Sequence, residues 1–370
     1  MSRCRDFADL AAAYGEGSLS QRNMIMNGNM LISERTGTTA TTAIGYTLDR
    51  WKILSDNLDE LAFEVTQTND VPATFAGGGG KSLKYQTKTV ESALASTENF
   101  RISQQIEAQN CHRVLYGTSS AKSVTLSFWV KSSLTGVFAV MLYMEDGGLN
   151  IGSTYTISSA DTWEYKTVTF VGNTSQAISH DNTIGFYVQF WLMAGSSYVT
   201  TSNTSWASYA AGRAAYGHAQ NGLATTDEST WQLTGVQMEV GEVATEFENE
   251  SYEDTLRKCQ RYFLKIGPNP TSGYTRFQTG HCINSTSQQG VMHFPVSMRA
   301  AGTLTSLAAA NYVVYHQATV TACSSISLSQ GSNDTLSVYT QVSSGLTAGE
   351  GCSLLGNNNS TAYIAVDAEL

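Results

Sequence analysis

The run WQLTGVQMEVGEVATEFENESYEDTLRKCQRYF, Trp231 to Phe263, places two kinds of periodicity back to back. From Trp231 to Val240, Val236, Met238 and Val240 alternate with Gln237 and Glu239, the pattern of a half-buried strand. Gly241 ends it. Beyond the acidic turn Glu246-Phe247-Glu248-Asn249, the spacing of Tyr252, Leu256, Cys259 and Phe263 changes to the three-and-four rhythm of a helix. Ser251 is placed to cap that helix, with Asp254 three residues on. Arg257, Lys258, Arg261 and Lys265 lie towards the other end, where the helix dipole favours cations. A strand that closes one β module therefore hands over, through a short helix, to a second module.

Composition supports β-sheet on both sides of this junction. Only 14% of the 370 residues are charged, and Thr, Ser, Asn, Gly, Tyr and Trp are abundant, which suits polar-faced sheets better than helical bundles. Upstream, Val124, Leu126, Phe128 and Val130 alternate with Thr125, Ser127, Trp129 and Lys131. Ile184, Phe186, Val188, Phe190 and Leu192 alternate with Gly185, Tyr187, Gln189, Trp191 and Met193. Downstream, Gly267-Pro268-Asn269-Pro270 stops the helix, and β-type runs follow at Tyr274–Thr279, Gly290–Met298, Tyr312–Gln317, Thr335–Val342 and Ala362–Ala368. The fold class read from these patterns is all-β in two domains.

The motif TGVQMEVGEVATEFE (234–248) followed by SYEDTLRKCQRYF (251–263) resembles a segment of tail-fibre and other virion proteins of tailed bacteriophages, where it follows a carbohydrate-binding-module-like jelly roll. SRCRDFADL (2–10), RNMIMNGNM (22–30) with YTLDRW (46–51), ISQQIEA (102–108) with VTLSFWVKSS (124–133), and VSMRAAGTLT (296–305) with the closing DAEL extend the resemblance along the chain. It implies an N-terminal arm over 1–21 that attaches to other virion proteins and a jelly-roll β-sandwich over 22–248. A linker helix over 249–266 and a small C-terminal β domain over 267–370 follow. It also implies a virion location after assembly in the host cytoplasm, a homotrimer by analogy with phage fibres, and a host surface glycan as partner. The positions matching the family's structural calcium site hold Met30, Leu31, Thr234 and Gly235, a set poor in hard oxygen ligands, so no metal and no cofactor is expected.

The candidate site follows from chemistry. Pyranose rings stack their C–H face on aromatic rings while amides and hydroxyls bind their hydroxyl groups. Trp129, Tyr187, Gln189 and Trp191, on the non-core face of their strands, fit that requirement, and Trp163 and Tyr165 are placed to join them. The long aliphatic-poor segment Ser196–Glu228 adds Tyr198, Trp206, Tyr209 and Tyr216. Two readings stand for this face: an open glycan platform, or an aromatic surface covered by a neighbour or by the N-terminal arm. Two stand for the loop as well, a binding loop or a plug folded over the end of the sandwich.

Other function classes are disfavoured. A formal net charge of −10 with no basic stripe argues against nucleic acid as a main partner. No apolar run is long enough for a membrane-spanning helix. The six cysteines show no CxxC or metal-finger spacing and read as buried free thiols. The glycine run Gly77–Gly80 reads as a mobile turn, since it lacks P-loop spacing. No GxSxG or HExxH motif occurs, and Glu145-Asp146, Asp181, Asp227-Glu228 and Glu246-Phe247-Glu248 sit in turns. No catalytic residue is assigned. A glycan-binding appendage, a purely structural or decorating virion protein, and a polysaccharide hydrolase remain as three ranked alternatives.

Overall fold

A computed structural model describes residues 21–76 and 80–370. Residues 1–20 of the expected arm, with Cys4, and Gly77–Gly79 of the glycine run lie outside them. The chain divides into two compact units between Thr255 and Leu256, inside the helix Tyr252–Gln260.

The first unit is a jelly-roll β-sandwich. Its strands are β1 (Gly45–Tyr46), β2 (Lys52–Asp56), β3 (Ala62–Thr68), β4 (Ser82–Thr89), β5 (Asn99–Glu107), β6 (Val124–Ser132), β7 (Gly136–Met144), β8 (Leu149–Ile157), β9 (Glu164–Phe170), β10 (Ile184–Ala194), β11 (Ala207–Ser208) and β12 (Thr230–Val240). One sheet has the order β1-β2-β5-β10-β7-β8-β11 and the other β3-β4-β12-β6-β9, with every pairing antiparallel. The core lies between them. Phe190 of β10 meets Phe128 of β6 edge-on at 5.0 Å and Trp231 of β12 at 6.0 Å, and Trp51 closes in at 6.4 Å. Emptying one such aromatic site costs about 3–5 kcal/mol.

β12 shows how local sequence shapes the sheet. Trp231 and Leu233 face the core at odd positions, whereas Val236 and Met238 do so at even ones. The register against β6 slips between Thr234 and Gln237, and Gly235 takes a φ of +59°, a bulge that only glycine enters at low cost. The alternation seen in the sequence over Val236–Val240 is therefore the second half of the strand only. The opening segment runs alongside this half: Met24 N donates to the Met238 carbonyl at 2.8 Å, and Val236 N to that of Gly28 at 2.9 Å.

The helix begins as expected. Asp254 N donates to Ser251 Oγ at 3.1 Å, and Ser251 Oγ donates to the Asp254 carboxylate at 2.7 Å. It ends earlier than expected, at Gln260. Residues Phe263–Ile266 leave the helical spacing and form a strand, β13, because Phe-Leu-Lys-Ile can pair along its whole length with a core strand.

The second unit continues with β14 (Arg276–Asn284), β15 (Ser287–His293), β16 (Thr303–Ser306), β17 (Tyr312–His316), β18 (Thr319–Gly331), β19 (Thr335–Val342), β20 (Gly351–Gly356) and β21 (Ile364–Asp367). β13-β21-β16 form a small sheet, and β14-β15-β19-β18-β17-β20 close into a barrel. Its interior includes Phe277, Tyr312, Val338 and Leu354, with the thiols Cys282, Cys323 and Cys352. The 13-residue β18 escapes sequence reading because Ser and Thr fill it and most of it is exposed.

Candidate functional site

The nominated residues do not share one face. Trp129 lies on β6 in the five-stranded sheet, whereas Tyr187, Gln189 and Trp191 lie on β10 in the seven-stranded sheet. Both sets point away from the core, so they look outward from opposite sides of the sandwich. Period-two alternation marks a residue as outward-facing but does not say in which sheet its strand lies.

On the seven-stranded sheet the register sets Tyr187 opposite Tyr143, Gln189 opposite Met141, and Trp191 opposite Ala139 on β7. Across the other neighbour, Tyr187 faces Gln105, Gln189 faces Ser103, and Trp191 faces Arg101 on β5. Tyr143 and Tyr187 meet edge-to-face at 5.4 Å, and Tyr209 packs edge-to-face on Tyr143 at 5.5 Å. Tyr209 is 45% exposed, and its amide is held to the Gly148 carbonyl at 2.8 Å. Burial, then the charge of Glu145, pushes the Tyr187 phenol up to about 12; burial likewise raises Tyr143 and Tyr209. All three hydroxyls therefore stay neutral and able to donate a hydrogen bond. The result is a fixed cluster of three phenols with the largely buried side chain of Gln189 beside it.

Trp191 belongs to a different environment. It is 1% exposed and packs in a satellite cluster with Ala139, Met141, Ala214 and Ala215. The Tyr198 ring lies 5.3 Å away, the Arg101 guanidinium stands 5.0 Å over the indole, and Nε1 has no hydrogen-bond partner among the described residues. Among the described residues, the cover is supplied by the chain's own loop. Arg213 is its organising residue, donating to the carbonyls of Ser202, Ser205 and Asn150, while Ala215 N donates to the Tyr198 carbonyl at 2.9 Å. Trp191 is thus removed from direct ligand contact.

The aromatic residues of the loop go to different places. Trp206 plugs the sandwich end, donating from Nε1 to the Val171 carbonyl at 2.7 Å and resting edge-on against Tyr116 at 5.7 Å. Tyr198 spans to the Thr97 carbonyl through its hydroxyl at 3.1 Å. Tyr209 joins the tyrosine cluster. Tyr216 is exposed and makes no ring contact among the described residues.

On the opposite sheet, Trp129 lies against Tyr165 at 5.4 Å, with the rings tilted by 50°. Asp70 ties their surroundings together, accepting from Trp163 Nε1 at 3.2 Å, from Gln232 Nε2 at 3.1 Å, and from Lys131. Burial works against the Asp70 charge, but these three donors outweigh it and hold the carboxyl below its ordinary value. On this second aromatic surface the Asp70 charge is paired with that of Lys131.

Tyr143 and Arg101 were not nominated from sequence. Along β7, Ala139 and Met141 make the outward face as apolar as the inward one, so the alternation that would have singled out Tyr143 is absent. Two of the turn carboxylates are engaged locally: Glu145 lies with Tyr187, and Asp146 accepts from Ser179 N at 2.7 Å and Oγ at 3.1 Å. Among the described residues, carboxylate oxygens of Asp59, Glu91 and Glu98 lie within 4.8 Å of one another, the donor type that suits a hard cation. Burial, then the charge of Glu98, raises the Glu91 carboxyl, so a shared proton would also relieve the group.

No family model and no curated protein matches the chain. Solved structures similar to it include the enzymatically active domain of tailspike protein 4 of bacteriophage CBA120, at 12% identity and a TM-score of 0.32, covering 59% of this chain and 21% of that one. This chain thus spans about a fifth of the tailspike's length. The module TmCBM61 in complex with β-1,4-galactotriose is similar at 13% identity and a TM-score of 0.29, covering 59% of this chain and 98% of the module. The family 11 carbohydrate-binding module of Clostridium thermocellum, with a mixed-linked tetrasaccharide, is similar at 10% and 0.28, covering 55% and 99%. Overlap of this degree assigns no ligand to this chain.

Proposed function

We propose that this protein is a bacteriophage virion appendage that binds host surface glycans without cleaving them. The contact surface is the outer face of the seven-stranded sheet. The observation that carries the binding role is the Tyr143-Tyr187-Tyr209 cluster: three phenols held at 5.4 and 5.5 Å, neutral, and partly open to solvent beside Gln189. Rings fixed in this way lose little freedom when a sugar stacks on them. The virion role is supported by the resemblance of residues 234–263 and of the other motifs to tail-fibre proteins. Attachment through the N-terminal arm and a trimeric state belong to the same reading.

The test is a glycan-array screen followed by adsorption of purified protein to host cells. Tyr187→Ala and Tyr209→Ala should each weaken binding about fivefold, since a stacked ring contributes roughly 1 kcal/mol. Their unfolding free energies should stay within about 1.5 kcal/mol of the parent, as both rings are partly exposed. A blank array together with unaltered adsorption by both variants would leave a purely structural virion role. Burial of Trp191 under the loop favours that second reading, because it shows that some aromatic surface here is consumed by the fold itself.

A further inference from the structure

We propose that the outer face of β15, β19 and β18, in the barrel of the second unit, is the surface through which copies of this chain meet. The inference rests on the trimeric reading above and names the surface that reading needs. The three strands are neighbours, β19 pairing with β15 along its whole length and with β18 over 323–331. Met292, Leu336 and Val338 point inward and fill the barrel. The period of two therefore turns Gln289, Val291, Tyr339, Gln341 and Ser327 outward.

Two features set this face apart. None of the three strands contains Asp, Glu, Lys or Arg. Outward positions elsewhere are charged: Lys88 and Glu64 pair across β4 and β3, and Arg276 is exposed on β14. The polar groups of the face are also bonded to one another. Gln289 Nε2 donates to Ser337 Oγ at 2.7 Å and, across β19, to Ser329 Oγ at 3.1 Å, and Ser325 Oγ donates to Gln341 Oε1 at 3.0 Å. Covering side chains already paired in this way gives up fewer hydrogen bonds to water, so it costs less. On the middle strand Tyr339 stands between Gln289 and Ser327, and Val291 is 49% exposed. An aromatic centre without charge is the composition of an interface core, whereas a solvated sheet face carries Lys and Glu.

The occupant is a second copy. Each chain carries a formal net charge of −10, so copies repel and approach at least cost where neither presents a charge. A face without charge has nothing with which to steer a partner of opposite sign. A copy of the same chain brings an uncharged face of its own, and no complementary charge is required of it.

Light scattering on the full-length chain over a concentration series, with circular dichroism to check folding, tests this. Val291→Glu and Ser327→Glu, both at exposed positions of the face, should each weaken association at least about a hundredfold, because every copy then brings a like charge to the contact. Using two positions lets one decide if the other misfolds. Val243→Glu, which adds the same charge at a 74% exposed position of the first unit, should leave the assembly unchanged. A wild-type trimer that persists in both face variants would overturn this inference and leave the trimeric reading standing. A wild-type dimer that both variants split would keep the surface and overturn the trimer. A monomer at every concentration would overturn both. Assembly left intact while Ser327→Glu loses glycan-array signal would assign the face to sugar instead and overturn the proposal.

Discussion

Trp191→Ala distinguishes a covered ring from an open one. The indole is 1% exposed, boxed by Ala139, Met141, Ala214, Ala215 and Tyr198, and capped by Arg101. Removing a buried tryptophan costs about 3–5 kcal/mol through lost transfer energy and the cavity left behind. Loss of the cation–π contact adds to it by roughly 0.5–1 kcal/mol. No hydrogen bond among the described residues is lost, because Nε1 has no partner there, and Arg101 keeps its 2.9 Å bond to Asp56. The net expectation is about 3.5–6 kcal/mol. With a urea m-value of about 2–3 kcal/mol/M, the midpoint should fall by roughly 1–3 M, followed by circular dichroism. Trp191→Phe should lose under about 1.5 kcal/mol and keep glycan adsorption, since a ring still fills the site and no donor is left unpaired. If Trp191→Ala instead cost under about 1 kcal/mol while adsorption collapsed, the ring would be open and the account of the loop as its cover would be wrong.

Three further outcomes follow from the same structure. His218 is buried edge-on to Phe138 at 5.8 Å, and burial pulls its pKa down to about 4 against a smaller upward pull from the Leu192 and Trp191 backbone. The unfolded imidazole takes up its proton near 6.5, so the stability held by neutral His218 is complete above that pH and is lost as pH falls towards 4. The loss should approach 3 kcal/mol and largely vanish in His218→Gln, as read by urea unfolding at stepped pH. Gly195→Ala would set a methyl 2.2 Å from the Ala95 carbonyl oxygen and 2.5 Å from that of Ser96, and should destabilise the loop's root by about 2 kcal/mol or more in thermal unfolding. Trp206→Ala should cost stability of the order of 2–3 kcal/mol and leave glycan adsorption nearly unchanged, because its ring serves the sandwich end and not the tyrosine cluster.

Alternation alone was enough to read the all-β class, the strands around Phe128 and Phe190, the helix cap at Ser251 and the change of module after it, because each is written in the spacing of a single segment. Two kinds of information were not local. Whether Trp129 and Trp191 share a face depends on which sheet each strand enters, and in a jelly roll that is settled by pairing between segments far apart in sequence. Whether Trp191, Trp206 or Tyr209 meets solvent depends on where the Ser196–Glu228 loop settles. That in turn depends on Arg213 bonding to carbonyls it cannot be matched with from composition. The Gly235 bulge belongs between the two cases: glycine advertised a possible break, but only pairing with β6 on one side and the Met24–Gly28 segment on the other made it switch the core face from Leu233 to Val236. Periodicity records how a residue is oriented on its own strand, and tertiary structure decides what lies opposite it.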